Sequence, residues 1–278
     1  MRSSLKLCVI TLLLVTVISC YRAPVEQPYR ISELSSLILQ ANKAFERGDI
    51  QAAELIYKEA YKRARLIQDD NSSVIILISL SRLYSSLDKI EDASSCVESA
   101  LRLSEKSSID RNLEEEIIFE RARIEFLKGK NDENSLKRLT KSESVLMRIK
   151  ALNLLSRINL RVGEPKEAEN LIKEALSLNK NISRIEEANS WRLLGEIYLN
   201  GKHNLGEKYL LRALEIDKEI AIPEKIGLDM EMLGRFYSNA GEKGKAIEYF
   251  NRALEIWRGL GNQSKEIKII EEIKRLSL

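Results

Sequence analysis

Apolar residues recur along this chain with helical spacing, in pairs of short runs separated by breaks that carry glycine or aspartate. Toward the C-terminus, Leu233 and Tyr237 stand four residues apart and share one helix face; Ala246, Phe250 and Ala253 share another. Between them Gly241 is placed to take positive φ and end the first helix. Small residues at Gly234, Ala246 and Ala253 predict two helix axes in close approach, with Tyr237 and Phe250 filling the space alongside. A pair this small cannot bury its apolar stripe alone, so it needs copies of itself stacked beside it.

The copies are present. About 40 residues upstream the pattern returns as Trp191-x-x-Leu194-Gly195-x-x-Tyr198, followed by Tyr209 and Ala213. The same spacing appears as Ala41, Gly48, Ala53, Tyr57 and Ala60, then as Leu80, Ser81, Tyr84, Ala93, Val97 and Ala100. Another copy holds Leu155, Ser156, Gly163, Ala168, Ile172 and Ala175. Between these, Ala122 and Gly129 mark a degenerate unit whose second helix, around Ser135 to Lys141, lacks the alanines. Six units result, with Ala53 to Ala246 spanning five periods of about 39 residues.

The Trp-x-x-Leu-Gly-x-x-Tyr element over 191–198 and the spaced alanines and aromatics after it resemble the tetratricopeptide repeat. The resemblance covers about Ser32 to Gly261. It implies an all-α fold, an α-solenoid of helix-turn-helix units wound as a right-handed superhelix, extending over 31–262 and closed by a capping helix over 263–278. The period exceeds the family's usual 34 residues and the closing proline is missing from every copy, which longer helices and wider connections would explain. The break residues fit: Asp49, Asp88 and Gly163-Glu164-Pro165 mark turns within units, with Pro165 suited to the first turn of a helix. Asp70-Asn71-Ser72-Ser73 and Gly261-Asn262-Gln263-Ser264 are expected to connect units. In the last helix Ile267, Ile270 and Ile273 are expected on the packed side, opposite lysines and glutamates.

Composition agrees with a helical protein, at 44% apolar and 31% charged residues with only 4 prolines. The net charge of +3 falls to +1 without residues 1–19, because Arg2 and Lys6 go with them. There is thus no global case for a nucleic-acid partner.

Residues 1–19 read as a targeting segment. Leu7 to Ile18 is an apolar run of twelve behind a basic start, too short for the roughly 20 residues that cross a bilayer as a helix. It ends in Val17-Ile18-Ser19-Cys20, which resembles the bacterial lipobox. That resemblance implies cleavage before Cys20 and a diacylglyceryl group on its thiol, tying the chain to a membrane. A conventional secretory peptide with an incidental Cys20 is the other reading. Tyr21, standing where an aspartate would signal inner-membrane retention, favours the outer membrane and a periplasm-facing position in the bacterial envelope. Residues 20–30, with Pro24 and Pro28, are expected to form an extended tether.

Candidate chemistry is sparse. His203 is the one histidine, in an expected turn; Cys96 lies at helical spacing with Ala93, Val97 and Ala100 and is expected to be a buried thiol. No nucleotide, hydrolase or zinc-protease motif occurs, so no catalytic residue, metal or cofactor is expected. Acidic runs such as Glu114-Glu115-Glu116 are expected to be solvated helix faces.

One pattern points to a partner. In each unit's first helix, the residue after the small packing residue is rotated about 100° from the helix–helix contact. These residues are Asn42, Arg82, Arg123, Arg157, Glu196 and Arg235, in a direction that resembles the concave side of the tetratricopeptide superhelix. Arginine is 22 of 278 residues, so six positions should hold about half an arginine; they hold four. A basic groove for carboxylates or backbone carbonyls of a peptide follows, against the alternative that these arginines pair with acidic residues on neighbouring helices. Phe45, Phe119 and Phe126 are expected near the same surface, as pockets or as core. The two-carboxylate clamp of chaperone-binding relatives is not implied, since Ile38 stands where its lysine would be. The expected function is a membrane-anchored protein-interaction scaffold of the bacterial envelope. The other readings are an envelope enzyme or small-ligand receptor, or a cytoplasmic regulator.

Overall fold

The computed structural model describes residues 29–199 and 203–277, and among these the chain is helical with no strand. The predicted Cys20 lipidation site, the segment 1–19 and most of the tether lie outside the described residues. Thirteen helices follow in order: α1 (Tyr29–Glu46), α2 (Ile50–Leu66), α3 (Asp70–Ser86), α4 (Ile90–Lys106), α5 (Arg111–Leu127), α6 (Glu133–Leu139) and α7 (Val145–Arg161). They continue with α8 (Pro165–Leu178), α9 (Arg184–Ile197), α10 (His203–Ile220), α11 (Pro223–Asn239), α12 (Lys243–Gly259) and α13 (Gln263–Ser277). By its contacts the chain divides at Ser36/Leu37, and everything below concerns the unit 37–278.

Consecutive helices pack in pairs, and each pair packs on the next, as in an α-solenoid. The turns inside units are set by backbone chirality. Gly48, Gly129, Gly163 and Gly241 end their helices at φ between +76° and +85°. The second unit uses Asp88 at φ +63° for the same bend. Glycine has a different task inside α9 and α11. A Cβ on Gly195 would lie 2.5 Å from the Leu210 side chain, and one on Gly234 would lie 2.6 Å from the Phe250 ring. Here the absent side chain lets two axes close together.

Helix starts are fixed by capping. Asp49 accepts the Ala52 N–H at the start of α2, and Ser144 and Ser183 do the same for α7 and α9. At α3 the structure corrects the sequence expectation. Asp69, not the 70–73 stretch, makes the connection: it accepts both the N–H (2.9 Å) and the hydroxyl (2.7 Å) of Ser72, so Asp70 to Ser73 already lie in the first turn. α13 also differs. Ile269 is buried, with Ile270, Ile273 and Leu276 packed beside it, whereas Ile267 is 58% exposed. Steps of three residues drift about 60° each around a helix, so the stripe 269–273–276 holds its bearing while Ile267 turns outward.

The core is a continuous stripe rather than a ball. Ala41, Ala53, Ala60, Ala93, Ala100, Ala122, Ala168, Ala175, Ala213, Ala246 and Ala253 are all buried, and large side chains fill between them, Tyr57, Phe250 and Trp257 among the most buried. Phe119 belongs to this core, packed with Leu136 and Leu154, and not to an open pocket. The end of the unit also meets its beginning. Asn262 donates through Nδ2 to the Ser86 carbonyl (2.6 Å), and Ser264 and Lys268 reach the Asp88 carboxylate (2.7 and 3.3 Å). Phe45, Gly48, Leu87, Trp257 and Leu260 gather around the same junction.

Candidate partner-binding strip

The residue before each of the six strip positions is buried: Ala41, Ser81, Ala122, Ser156, Gly195 and Gly234. The strip residues themselves are half-buried at Asn42, Arg82 and Arg123, and exposed at Arg157, Glu196 and Arg235. One residue of helical rotation produces that alternation.

Their partners differ. Asn42 accepts the Tyr57 hydroxyl (2.6 Å). Arg82 pairs with Glu116 (2.6 Å) and stands 3.6 Å from Glu120; Arg123 pairs with Glu120 (2.6 Å) and donates to the Ser85 hydroxyl (2.7 Å). Arg235 pairs with Glu231 (2.7 Å) on its own helix. Arg157 makes no ion pair among the described residues; its guanidinium lies over the Phe126 ring, 5.0 Å from the centroid. Glu196 favours its charged form.

These pairs extend into a polar spine that joins first helix to first helix at the repeat period. Glu120 is fully buried, accepts the Ser81 hydroxyl (2.7 Å) and holds both Arg82 and Arg123. Burial opposes its charge, but Arg123, Arg82 and Ser81 outweigh that and hold the carboxyl down at about 2. Glu116 binds Lys150 as well as Arg82, so α3, α5 and α7 are tied through one carboxylate. The acidic run 114–116 is therefore not simply a solvated face. Asn153 and Ser190 join α7 to α9, and Lys265 reaches Glu231 from α13 (2.8 Å).

The deepest part of the spine escaped the sequence reading. Arg192 lies between Asp217 and Asp229, both fully buried, with the Asp229 contact at 2.6 Å. Asp217 Oδ1 and Asp229 Oδ2 have no donor, which one proton held between the two carboxylates would supply. Burial, reinforced by Asp229 and opposed by Arg192, pushes the Asp217 carboxyl up to about 7. The available signal was Asp229 inside the apolar stripe of α11, one period from Arg192.

Cys96 is half-buried rather than buried, and burial together with Asp92 and Glu120 pushes its thiol up to about 11. His203 opens α10, and its side chain lies outside the described residues. Among the described residues no group of three or more His, Cys, Asp and Glu is placed to hold a metal, and no helix is long and apolar enough to cross a membrane.

Two family models, each described as tetratricopeptide repeat, match residues 149–182 and 186–259. No curated protein matches the chain. Among solved structures the fold is similar to a Rap protein complexed with Competence and Sporulation Factor (TM-score 0.60, 13% identity, 88% of this chain and 86% of that one). It is also similar to the apo form of RapI (0.51, 17%, 87% and 70%) and to the APC/C hetero-tetramer Cut9-Hcn1 (0.52, 13%, 88% and 54%). At those identities the likeness speaks for the fold. Residues 149–182 and 186–259 are thus tetratricopeptide repeats, set in an α-solenoid of helix pairs.

Proposed function

We propose that this protein is a lipid-anchored interaction scaffold of the bacterial envelope, which binds a protein or peptide partner along the strip Asn42, Arg82, Arg123, Arg157, Glu196 and Arg235. One observation carries the reading. The strip repeats once per unit on the first helices, directly beside the buried packing residues, and it presents polar groups in six successive units. Stacked repeats offer extended surfaces of this kind, suited to a partner in extended conformation. The Rap protein similar in fold is complexed with Competence and Sporulation Factor, which supports a ligand-binding use of such a solenoid. The anchor rests on the sequence Val17-Ile18-Ser19-Cys20, and Tyr21 after it favours the outer membrane with the solenoid facing the periplasm.

Two experiments test the two halves. Metabolic labelling with a radioactive fatty acid should mark the wild-type chain and leave Cys20→Ala unlabelled and released from membranes; an unlabelled wild type ends the lipoprotein reading. Crosslinking pull-down from membranes should recover a partner with wild type and with Arg121→Glu. Arg121 is exposed on α5, two residues and so about 200° from Arg123. The same pull-down should lose the partner with Arg157→Glu. A partner retained by Arg157→Glu and lost by Arg121→Glu moves binding off the strip.

A further inference from the structure

Of the four strip arginines, three already spend their charge inside the chain. Arg82, Arg123 and Arg235 each hold a carboxylate at hydrogen-bonding distance, and a partner's acid could bind them only by displacing it. Arg157 is different. It is open to solvent, forms no ion pair or hydrogen bond among the described residues, and rests on the Phe126 ring. Arg161 lies on the same ring, its guanidinium 4.0 Å from the centroid. Three of the five Arg161 N–H donors go to neutral acceptors: the carbonyls of Phe126 (2.6 Å) and Lys130 (2.7 Å), and the Asn131 side chain. Two guanidinium groups thus flank one phenyl ring, and neither has a carboxylate partner among the described residues.

The surroundings make the charge on Arg157 costly. Its ionised form is disfavoured first by burial, relieved partly by Glu196, and disfavoured again by Arg192, Arg123 and Arg161, so the guanidinium sits below its ordinary pKa. An anion placed there gains the full fork of donors and removes the repulsion among the arginines.

We infer that Arg157, flanked by Phe126 and Arg161, seats a side-chain carboxylate, an aspartate or glutamate of an extended partner peptide. This deepens the scaffold reading and rests on it. A single carboxylate fits better than a dianionic phosphate, because Arg157 alone is free of protein acceptors while Arg161 is tied to three, and the nearby Glu196 carboxylate repels a second negative charge. The Phe126 ring holds the Arg157 guanidinium in place beneath that acid. Since Arg123 on one side is already held by Glu120 and Glu196 on the other is itself an acid, this subsite fixes the register of the peptide along the strip.

The test is fluorescence anisotropy with the full chain in detergent and two labelled, acetylated decapeptides, one alternating alanine with glutamate and one alternating alanine with glutamine. Wild type should bind the glutamate peptide at least tenfold more tightly than the glutamine peptide. Arg157→Gln should erase that preference while Arg121→Gln retains it. The inference is overturned if wild type shows no preference, if Arg157→Gln keeps it, or if both variants lose it equally, which would mean diffuse charge attraction. The two levels separate cleanly. A membrane partner still captured by Arg157→Gln removes the carboxylate seat and leaves the scaffold reading standing; no partner captured by wild type removes the scaffold reading itself.

Discussion

Asn262 and Ser86, 176 residues apart, are joined by a 2.6 Å hydrogen bond from the Asn262 amide to the Ser86 carbonyl. The same side chain caps α13 by accepting the Lys265 N–H (3.0 Å), and it is 5% exposed. Removing it orphans a carbonyl and a helix N-terminus together. Asn262→Ala should therefore cost about 1–3 kcal/mol in urea unfolding. The neighbouring Asp88–Lys268 pair is more than half exposed on both sides, so Lys268→Ala should cost well under ~1 kcal/mol. Equal costs would mean that the junction is held by charge, not by the buried amide.

Close helix approach predicts opposite signs for two glycines. Gly234→Ala drives a methyl into the Phe250 ring and should destabilise by about 1–3 kcal/mol. Gly244→Ala, in the first turn of α12 with open space around it, should be neutral or stabilising by up to ~1 kcal/mol. Thermal melts of the two variants decide it; the account fails here if Gly234→Ala melts at or above wild type.

The Arg192–Asp217–Asp229 cluster predicts both a large mutational cost and a pH dependence. Arg192→Leu leaves two buried carboxylates without their cation and should cost about 3–5 kcal/mol. Asp217 has its folded-state pKa raised from 3.8 to about 7, so the folded chain binds its proton more tightly than the unfolded one. That group opposes folding fully above about pH 7, and the opposition fades as pH falls toward 4. Denaturation at pH 5 and pH 8 should show wild type gaining on Asp217→Asn at the lower pH. A difference independent of pH would show that the pair shares no proton.

Cys96 should react slowly. Its thiol, pushed from 9.0 up to about 11, carries about 100-fold less thiolate near neutral pH than an ordinary one. Its rate with a thiol-exchange reagent should fall by a similar factor against a free cysteine and rise to parity on unfolding in urea. A rate near that of free cysteine in the native chain would contradict its placement.

Local chemistry was legible in the sequence wherever a single helix pair decides the outcome. Gly241 ends α11, Gly234 admits Phe250, and the residues after the small packing positions emerge less buried, because each depends on spacing within about twenty residues. Contacts one period apart were legible in principle and missed: Arg192 to Asp229, Lys150 to Glu116 and Lys265 to Glu231 are opposite charges 34 to 37 residues apart. Of the arginine ladder, Arg82 follows the same rule with Glu116, whereas Arg123 and Arg235 hold Glu120 and Glu231 on their own helices. The Asn262–Ser86 junction was not legible at all. It depends on small rotations accumulated over every repeat, which no local spacing encodes.

The central claim is that the partner lies on the first-helix strip. The most direct measurement is photo-crosslinking in cells, with a benzophenone amino acid placed singly at positions 157, 196 and 235, and at the exposed control positions 121 and 208. The account predicts crosslinks to one common protein from the three strip positions, mapped by mass spectrometry to a contiguous acidic segment, and none from the controls. Crosslinks from 121 or 208 to that protein, with 157 and 196 silent, would contradict it.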